Sequence, residues 1–471
     1  MPPAVCLLGP PQRIFFNTRK NNWHGRIAVS TSICSAWKNA CNLAQQPIED
    51  PRRHEWEARL AQGVADTEMI RRQNRLLVLD ALRRHGPLSR SQVATLTGLS
   101  NATLTAIAAD LVGDGIVAEL AEPQAGAKAR GRPAVQLVHN RSAGFVLLIE
   151  LDVNRCRMSL LDYGGVLVDR VESGVGPTLF SEVAPAAWFI ERIGHMIGRN
   201  TDIGNTLHGV SISVQGILNA SGHGLTWSPI PHLSGHDIVT AINNRLGLAA
   251  HLFKRGRLMA DGMRWLDPDL ARAGIATIYL GSTIGMGLTL PTDASPDAGL
   301  ATEFGHMIHI PGGALCRCGA RGCVEAYAAD YAILRAAYSV PEHATPASAV
   351  PPADFQHIMA RARQGDRAAQ RAFSAAGAAI GHGISRLISI VEIDRLILLG
   401  PNTAAHDLVA TAIAEGAAAS LMGRMRGLPP IQLVPDAGEP IYRGLMMKTL
   451  TEIDRTFADR VSLPAARRSA E

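Results

Sequence analysis

Aromatic residues make up only 5% of this 471-residue chain. Its core must therefore be aliphatic, and the 47% hydrophobic content suits an α/β protein rich in Ala, Val, Ile and Leu. Long apolar runs are missing too. None reaches the roughly 18 residues that a transmembrane helix needs. The apolar stretch Ala4 to Leu8 is too short for a signal-peptide core and is followed by Pro10-Pro11. Neither a membrane partner nor secretion is expected. Cysteine is sparse, at 7 residues, and is clustered in a glycine-rich loop. That pattern favours metal over disulfides and a cytoplasmic location. Net charge is only +5, but it is uneven. Up to Asn140 there are 17 Lys and Arg against 11 Asp and Glu, and the remainder holds 29 against 30. A basic front end on a near-neutral body points to a polyanion as the partner of the front end. The length allows two or three domains.

What the sequence does hold is concentrated between Glu303 and Glu325. Cys316, Cys318 and Cys323 sit in a loop whose Gly313, Gly319 and Gly322 let the backbone fold tightly enough to turn three thiolates toward one point. His306 is the best candidate for a fourth ligand. A Cys3His set with no carboxylate among the ligands fits a closed, structural zinc (Zn) site better than a catalytic one.

Residues 1–65 show no sustained helical or strand period and are expected to form a disordered extension. From Ile70 the pattern changes, and residues 66–140 read as one unit. Leu76, Leu77, Leu79 and Leu82 recur at helical spacing from Arg71 to His85, stopped by Gly86-Pro87. Ser89 caps a short helix, Gly98 makes a tight turn, and Ser100 caps a second helix through Leu104, Ile107 and Leu111. Two strands follow, Gly115 to Leu120 and Ala134 to Val138, joined by a basic Gly/Pro loop. This is the pattern of a winged helix-turn-helix that binds operator DNA. Asn101, Thr103 and Thr105 would face base edges, and Arg71, Arg72, Arg75, Arg90, Arg130 and Arg132 would contact phosphates or the minor groove.

From residue 144 to the end, strands and helices alternate. Three strands, a helix and a strand, echoed after Ala276, suggest a duplicated ribonuclease-H-like fold of the actin and hexokinase superfamily, with two lobes.

The run Glu303-x-x-His306, then Cys316-x-Cys318-Gly319-x-x-Gly322-Cys323-x-Glu325, closely resembles the signature of the ROK family, which groups sugar repressors and sugar kinases. The front unit, with Arg71-x-x-Asn74 and Gly131-Arg132-Pro133, also looks like the DNA-binding part of ROK repressors. The resemblance implies the same two-lobed fold with ligand in the cleft. It implies zinc on His306, Cys316, Cys318 and Cys323, and sugar hydroxyls on Glu303, His306 and Glu325.

Against the kinases of that family the chain departs in two places. Their phosphate turn, Asp-x-Gly-Gly-Thr, corresponds to Leu151-Asp152-Val153-Asn154-Arg155-Cys156, which has no glycine. Their Asn-Asp-Ala-Asn run, which holds the catalytic base, corresponds to Lys254-Arg255-Gly256-Arg257, so Arg255 stands where the base belongs. No catalytic residue is expected. Lys254, Arg255 and Arg257 would also put cations near the pocket, as a phosphorylated or acidic sugar would require. The expected protein is a sugar-responsive transcriptional regulator, most simply a homodimeric or tetrameric repressor of carbohydrate-use genes that answers to a sugar or sugar phosphate inducer. The alternatives are an ATP-dependent sugar kinase with an accessory DNA-binding domain and a scaffold that binds neither ligand nor operator.

Overall fold

Two serine caps and a left-handed glycine set the shape of the front of the molecule. Helix α1 spans Thr67–His85, beginning ahead of the expected Arg71. Helix α2, Arg90–Thr97, starts where Ser89 accepts from the Gln92 amide while the Gln92 side chain accepts from the Ser89 amide, a reciprocal cap. It stops at Gly98, whose φ of 73° is one that glycine adopts without strain. Ser100 then accepts from the Thr103 amide at 3.1 Å and starts helix α3, Asn101–Gly113. The computed structural model describes residues 67–121, 135–176, 178–291 and 300–460. The expected extension at the start of the chain and the loop carrying Arg130 and Arg132 lie outside the described residues.

Two strands expected beside these helices are found as β2, Val117–Ala121, and β3, Val135–His139. A third, β1, is only Leu88–Ser89, and it pairs with Leu137 and Gln136 of β3. Two residues carry too little pattern for a strand to be read from sequence.

The body holds two five-stranded sheets. The first runs β10-β7-β4-β5-β6, with β4 Phe145–Leu151, β5 Arg155–Asp162, β6 Leu167–Gly174, β7 Leu207–Val214 and β10 Ala249–Lys254. The second runs β13-β12-β11-β14-β15, with β11 Ile275–Leu280, β12 Ile284–Thr289, β13 Leu300–Thr302, β14 Arg395–Leu399 and β15 Ile431–Val434. A small hairpin of β8, Ile217–Leu218, and β9, Leu225–Trp227, stands apart. Both large sheets follow one plan. Three consecutive strands pair antiparallel, and the first of them is flanked on its other side by two later strands running parallel to it. This is the duplicated ribonuclease-H-like plan that the strand pattern predicts. The helix expected near Phe180 to Ile197 is broken into Leu179–Glu182 and α4, Pro185–Arg199. Pro185 lacks an amide hydrogen and fits only the first turn of a helix, so a new helix begins there.

Helix α5, Arg255–Leu266, leaves the end of β10 in the first sheet and packs on the second. Its close approaches depend on missing side chains. A Cβ on Gly256 would collide with the Met286 carbonyl of β12, and one on Gly262 with the Pro440 carbonyl. Pro440 belongs to helix α7, Gly438–Arg460, which comes after the long helix α6, Arg367–Ile390, in the chain, and a Cβ on Gly444 of α7 would in turn meet the Leu258 carbonyl.

One apolar cluster runs from the front unit into the body, from Leu79, Leu82, Leu104 and Leu137 through Val146 and Tyr163 to Leu450 and Phe457. A buried ion pair crosses it. Arg83 of α1 donates from Nε and Nη2 to Asp454 of α7 at 3.0 and 2.8 Å, and from Nη1 to the Tyr163 carbonyl at 3.1 Å. The Tyr163 hydroxyl donates to the same carboxylate at 2.5 Å. Both charged side chains are about 5% exposed or less. His139 meets Tyr163 edge to face and lies 3.2 Å through Nε2 from the Leu79 carbonyl.

Removing one partner of such a pair strands a buried charge, so Asp454→Ala should cost about 3–5 kcal/mol in chemical denaturation. An unchanged midpoint would show that the pair carries no net stability. His139 has a second consequence. Burial, with the nearby Arg83 charge, lowers its pKa from 6.5 to about 4. Below pH 6.5 the unfolded chain takes up a proton that the folded imidazole refuses until about pH 4, so stability falls as pH drops through that window. The loss is on the order of 3 kcal/mol. His139→Gln should flatten that part of the stability profile.

Candidate functional site

A cleft of about 570 Å³ lies where β7, β10 and the edge of the second sheet converge. Gln215, Trp227, Lys254, Glu303, His306 and Glu325 are among the residues that line it. Glu303 precedes and His306 ends a short 3-10 turn, and Phe304 and Gly305 between them are buried. Gly305 packs so close to the Ile284 carbonyl that a Cβ would collide with it, which fixes the turn against β12. Glu325 opens the short helix Glu325–Ala328, is 2% exposed and accepts from the Ile284 amide at 3.2 Å. Burial raises its pKa and the neighbouring His306 opposes the rise. The three groups carried over as sugar contacts thus face one cavity.

Behind this wall, His306, Cys316, Cys318 and Cys323 bring one ligand atom each to within 4.8 Å of one another. Gly319 and Gly322, with φ of 88° and 86°, allow the hairpin that turns the thiols inward. Cys316 Sγ is 3.7 Å from His306 Nδ1, and Cys318 Sγ is 3.7 Å from Cys323 Sγ. A tetrahedral ion with bonds of roughly 2.3 Å to sulfur has ligand-to-ligand edges of roughly 3.8 Å, so the four donors have the right spacing for one. Their chemistry points the same way. Burial and the neighbouring Cys318 thiol push Cys323 up to about 11, and burial with Glu325 pushes Cys316 further in the same direction. Three crowded thiols of this kind ionise together only around a cation. With Nδ1 turned to the sulfurs, the His306 ring meets Trp227 edge to face, its centroid 5.1 Å away on the cleft side.

Several contacts here could not be read from sequence. Lys254 Nζ bonds the Glu303 carboxylate, so one expected sugar contact is already engaged by a cation. Arg255 donates to Asp152 at 2.8 Å and stacks 4.5 Å over the Tyr279 ring. Burial works against its charge, but Asp152 and Tyr279 outweigh burial and raise its pKa. Asp152 also accepts from Gln215 Nε2 at 3.1 Å. Asp152 and Arg255 are far apart in the chain, and only the sheet topology brings them together. No local spacing announces such a pair.

In the front unit, Asn101 and Thr105 are exposed and Thr103 is half-buried on α3. Thr105 donates to the Asn101 carbonyl at 2.7 Å, and the Ser100 and Thr103 hydroxyls lie 2.8 Å apart. Arg71, Arg72 and Arg90 are at the surface, paired with Asp110, Asp459 and Glu119 respectively. Arg75 corrects the expectation. Its side chain is 1% exposed and donates to Asp114 at 2.8 Å, so it ties α1 to the end of α3 and cannot reach a phosphate.

A sequence profile described as the ROK family matches residues 177–437. The xylose repressor of Bacillus spizizenii is 23% identical over 355 residues, covering 74% of this chain and 88% of that protein. The kanosamine kinase of Amycolatopsis mediterranei is 29% identical over 253 residues, covering 51% of this chain and 78% of the kinase. Among solved structures, the crystal structure of a ROK family transcriptional regulator, a homologue of the E. coli MLC protein, superposes with a TM-score of 0.61 at 20% identity. It covers 81% of this chain and 99% of its own, a likeness of fold. With the profile spanning more than half of its length, including β7 and β10 of the first sheet, the whole second sheet and the Cys3His loop, the chain belongs to the ROK family.

Proposed function

We propose that this protein is a sugar-responsive DNA-binding transcriptional regulator, a repressor of carbohydrate-use genes that works in the cytoplasm and transfers no phosphoryl group. The observation that carries this reading is the fusion of a helix-turn-helix, with its three-stranded sheet, to the core of the sugar-cleft body. The lengths of the similarities agree, 355 residues for the xylose repressor against 253 for the kanosamine kinase.

In this reading the unit is a winged helix-turn-helix, two copies of which sit on an operator in a homodimer or a tetramer. Helix α3 enters the major groove with Asn101, Thr103 and Thr105 toward the bases. Arg71, Arg72 and Arg90 exchange their carboxylate partners for phosphates, with Arg130 and Arg132 reaching the backbone or the minor groove. In the cleft, Glu303, His306 and Glu325 contact sugar hydroxyls, and the sugar competes with Lys254 for Glu303. Zinc held by His306, Cys316, Cys318 and Cys323 is structural and keeps the Glu303–Glu325 loop facing the cleft. The absence of kinase chemistry rests on Arg255. It occupies the position of the kinases' base, carries a fixed charge and is bound to Asp152. Asp261, six residues further along α5, pairs with Arg257.

The direct test is a gel shift on the promoter region of the protein's own gene, titrated with D-xylose, D-glucose, N-acetyl-D-glucosamine and D-glucose 6-phosphate. Specific retardation released by one of them is expected. Retardation that no sugar relieves, or ATP-dependent phosphorylation of a sugar in a coupled assay, would overturn the reading. Asn101→Ala should remove about 1–3 kcal/mol of discrimination against a mismatched operator while leaving non-specific binding in place. For the metal, wild type should carry about one zinc per chain by elemental analysis. Cys318→Ser should lower both that content and the melting temperature, and a variant equal to wild type in both would remove zinc from the account.

A further inference from the structure

Helix α5 touches both functions of the chain. Its first turn belongs to the cleft, where Lys254 just before it bonds Glu303, and Arg255 at its first position bonds Asp152 and covers Tyr279. Its last turn belongs to the front unit. There the guanidinium of Arg84, in α1, lies 4.0 Å from the centroid of the Trp265 ring, a cation held against an aromatic face. Trp265 lies ten residues along the helix from Arg255, roughly 15 Å of rigid rod.

The middle of the rod cannot absorb a displacement. Leu258, Met259, Ala260 and Met263 are buried. The backbone contacts of Gly256 with β12 and of Gly262 with α7 leave no side chain to rearrange between the helix and its neighbours. Arg264 fastens the far end by donating to the carbonyls of Ala273 and Leu290 at 2.6 and 2.9 Å. Helix α7, packed against this rod, bonds α1 through Asp454 to Arg83 and through Asp459 to Arg72. A shift imposed at Lys254 and Arg255 therefore reaches α1 by the Trp265–Arg84 stack, while the neighbouring Arg83–Asp454 pair keeps α1 attached to the body.

We infer that α5 is the element through which occupancy of the sugar cleft changes DNA binding, and that the Arg84–Trp265 stack is where its movement is handed to the helix-turn-helix. This rests on the functional reading above and adds the route by which the two sites communicate. Neither Arg84 nor Trp265 lines the cleft described here, and neither belongs to the base- or phosphate-contacting set. Their part is positioning: they couple two binding events without taking part in either.

The test compares the full-length wild type with Arg84→Gln, Trp265→Leu and Arg84→Lys. DNA affinity for the promoter fragment is measured by fluorescence anisotropy, without sugar and with a saturating amount of each sugar of the panel above. Sugar affinity of the DNA-free protein is measured by calorimetry. Wild type should lose DNA affinity at least about 5-fold when one of those sugars is added. Arg84→Gln and Trp265→Leu should bind the fragment and the sugar as wild type does, yet show a change near 1-fold. Arg84→Lys, which keeps a cation over the ring, should retain most of the response. Wild-type release in Arg84→Gln and Trp265→Leu overturns the route and leaves the functional reading standing. So does loss by these variants of DNA binding without sugar or of sugar binding without DNA, since the stack would then serve one site's fold. So does Arg84→Lys behaving like Arg84→Gln. A wild type that binds no DNA, or that none of the four sugars releases, overturns the functional reading itself and this inference with it.

Discussion

Taking a full charge out of water costs several kcal/mol unless a partner of opposite sign goes with it. This chain pairs buried guanidinium groups with carboxylates where its parts meet. Arg75 with Asp114 closes the front unit on itself, Arg83 with Asp454 fixes that unit to the last helix, and Arg255 with Asp152 ties the start of α5 to the end of β4 beside the cleft. Apolar contact would hold the same surfaces together, but without a fixed geometry, because hydrophobic burial has no direction. A forked donor on a carboxylate has a direction. The body and the front unit therefore share one core and one orientation.

In the proposed reading, Arg255 at the cleft also decides what the fold is suited to. A carboxylate at that position would be free to take a proton from a hydroxyl. A guanidinium bound to Asp152 and stacked on Tyr279 is a strut. Lys254 beside it engages Glu303, so any sugar entering the cleft has to displace or share an existing contact. In the proposed reading, that competition couples occupancy of the cleft to a conformational change rather than to turnover. The two-sheet plan is compatible with either use, and the difference lies in a few side chains at the ends of strands.

How much of this was visible in the sequence depended on how local each signal is. The serine caps, the Gly98 turn and the breaks at Gly86-Pro87 are short-range chemistry, and the helices start and stop at or near the places they mark. The cysteine cluster was legible for the same reason, since a hairpin of a few residues is enough to gather the thiols. The charge of Arg75 suggests a surface position, and nothing in its neighbours reveals that Asp114 receives it in the interior. Strand β1 leaves no signal in the sequence, because two residues carry no period. The partners of Lys254, Arg83 and Arg255 depend on how the sheets are ordered, which local pattern does not encode. Residues 1–66 and the loop bearing Arg130 and Arg132 lie outside the described residues.

The crossing of α5 and α7 has a consequence for how such a sequence can change over time. At Gly262 and Gly444 each helix leans on the bare backbone of the other. An ion pair can be exchanged by reversing its two residues, and a core leucine can be traded against a neighbour that shrinks as it grows. Neither kind of compensation exists here, because enlarging one position cannot be repaired by altering the other, which has nothing left to remove. Sequence drift in this protein should therefore be free around the crossing and stopped at it, making these two glycines a more durable mark of shared architecture than any of the charged pairs nearby.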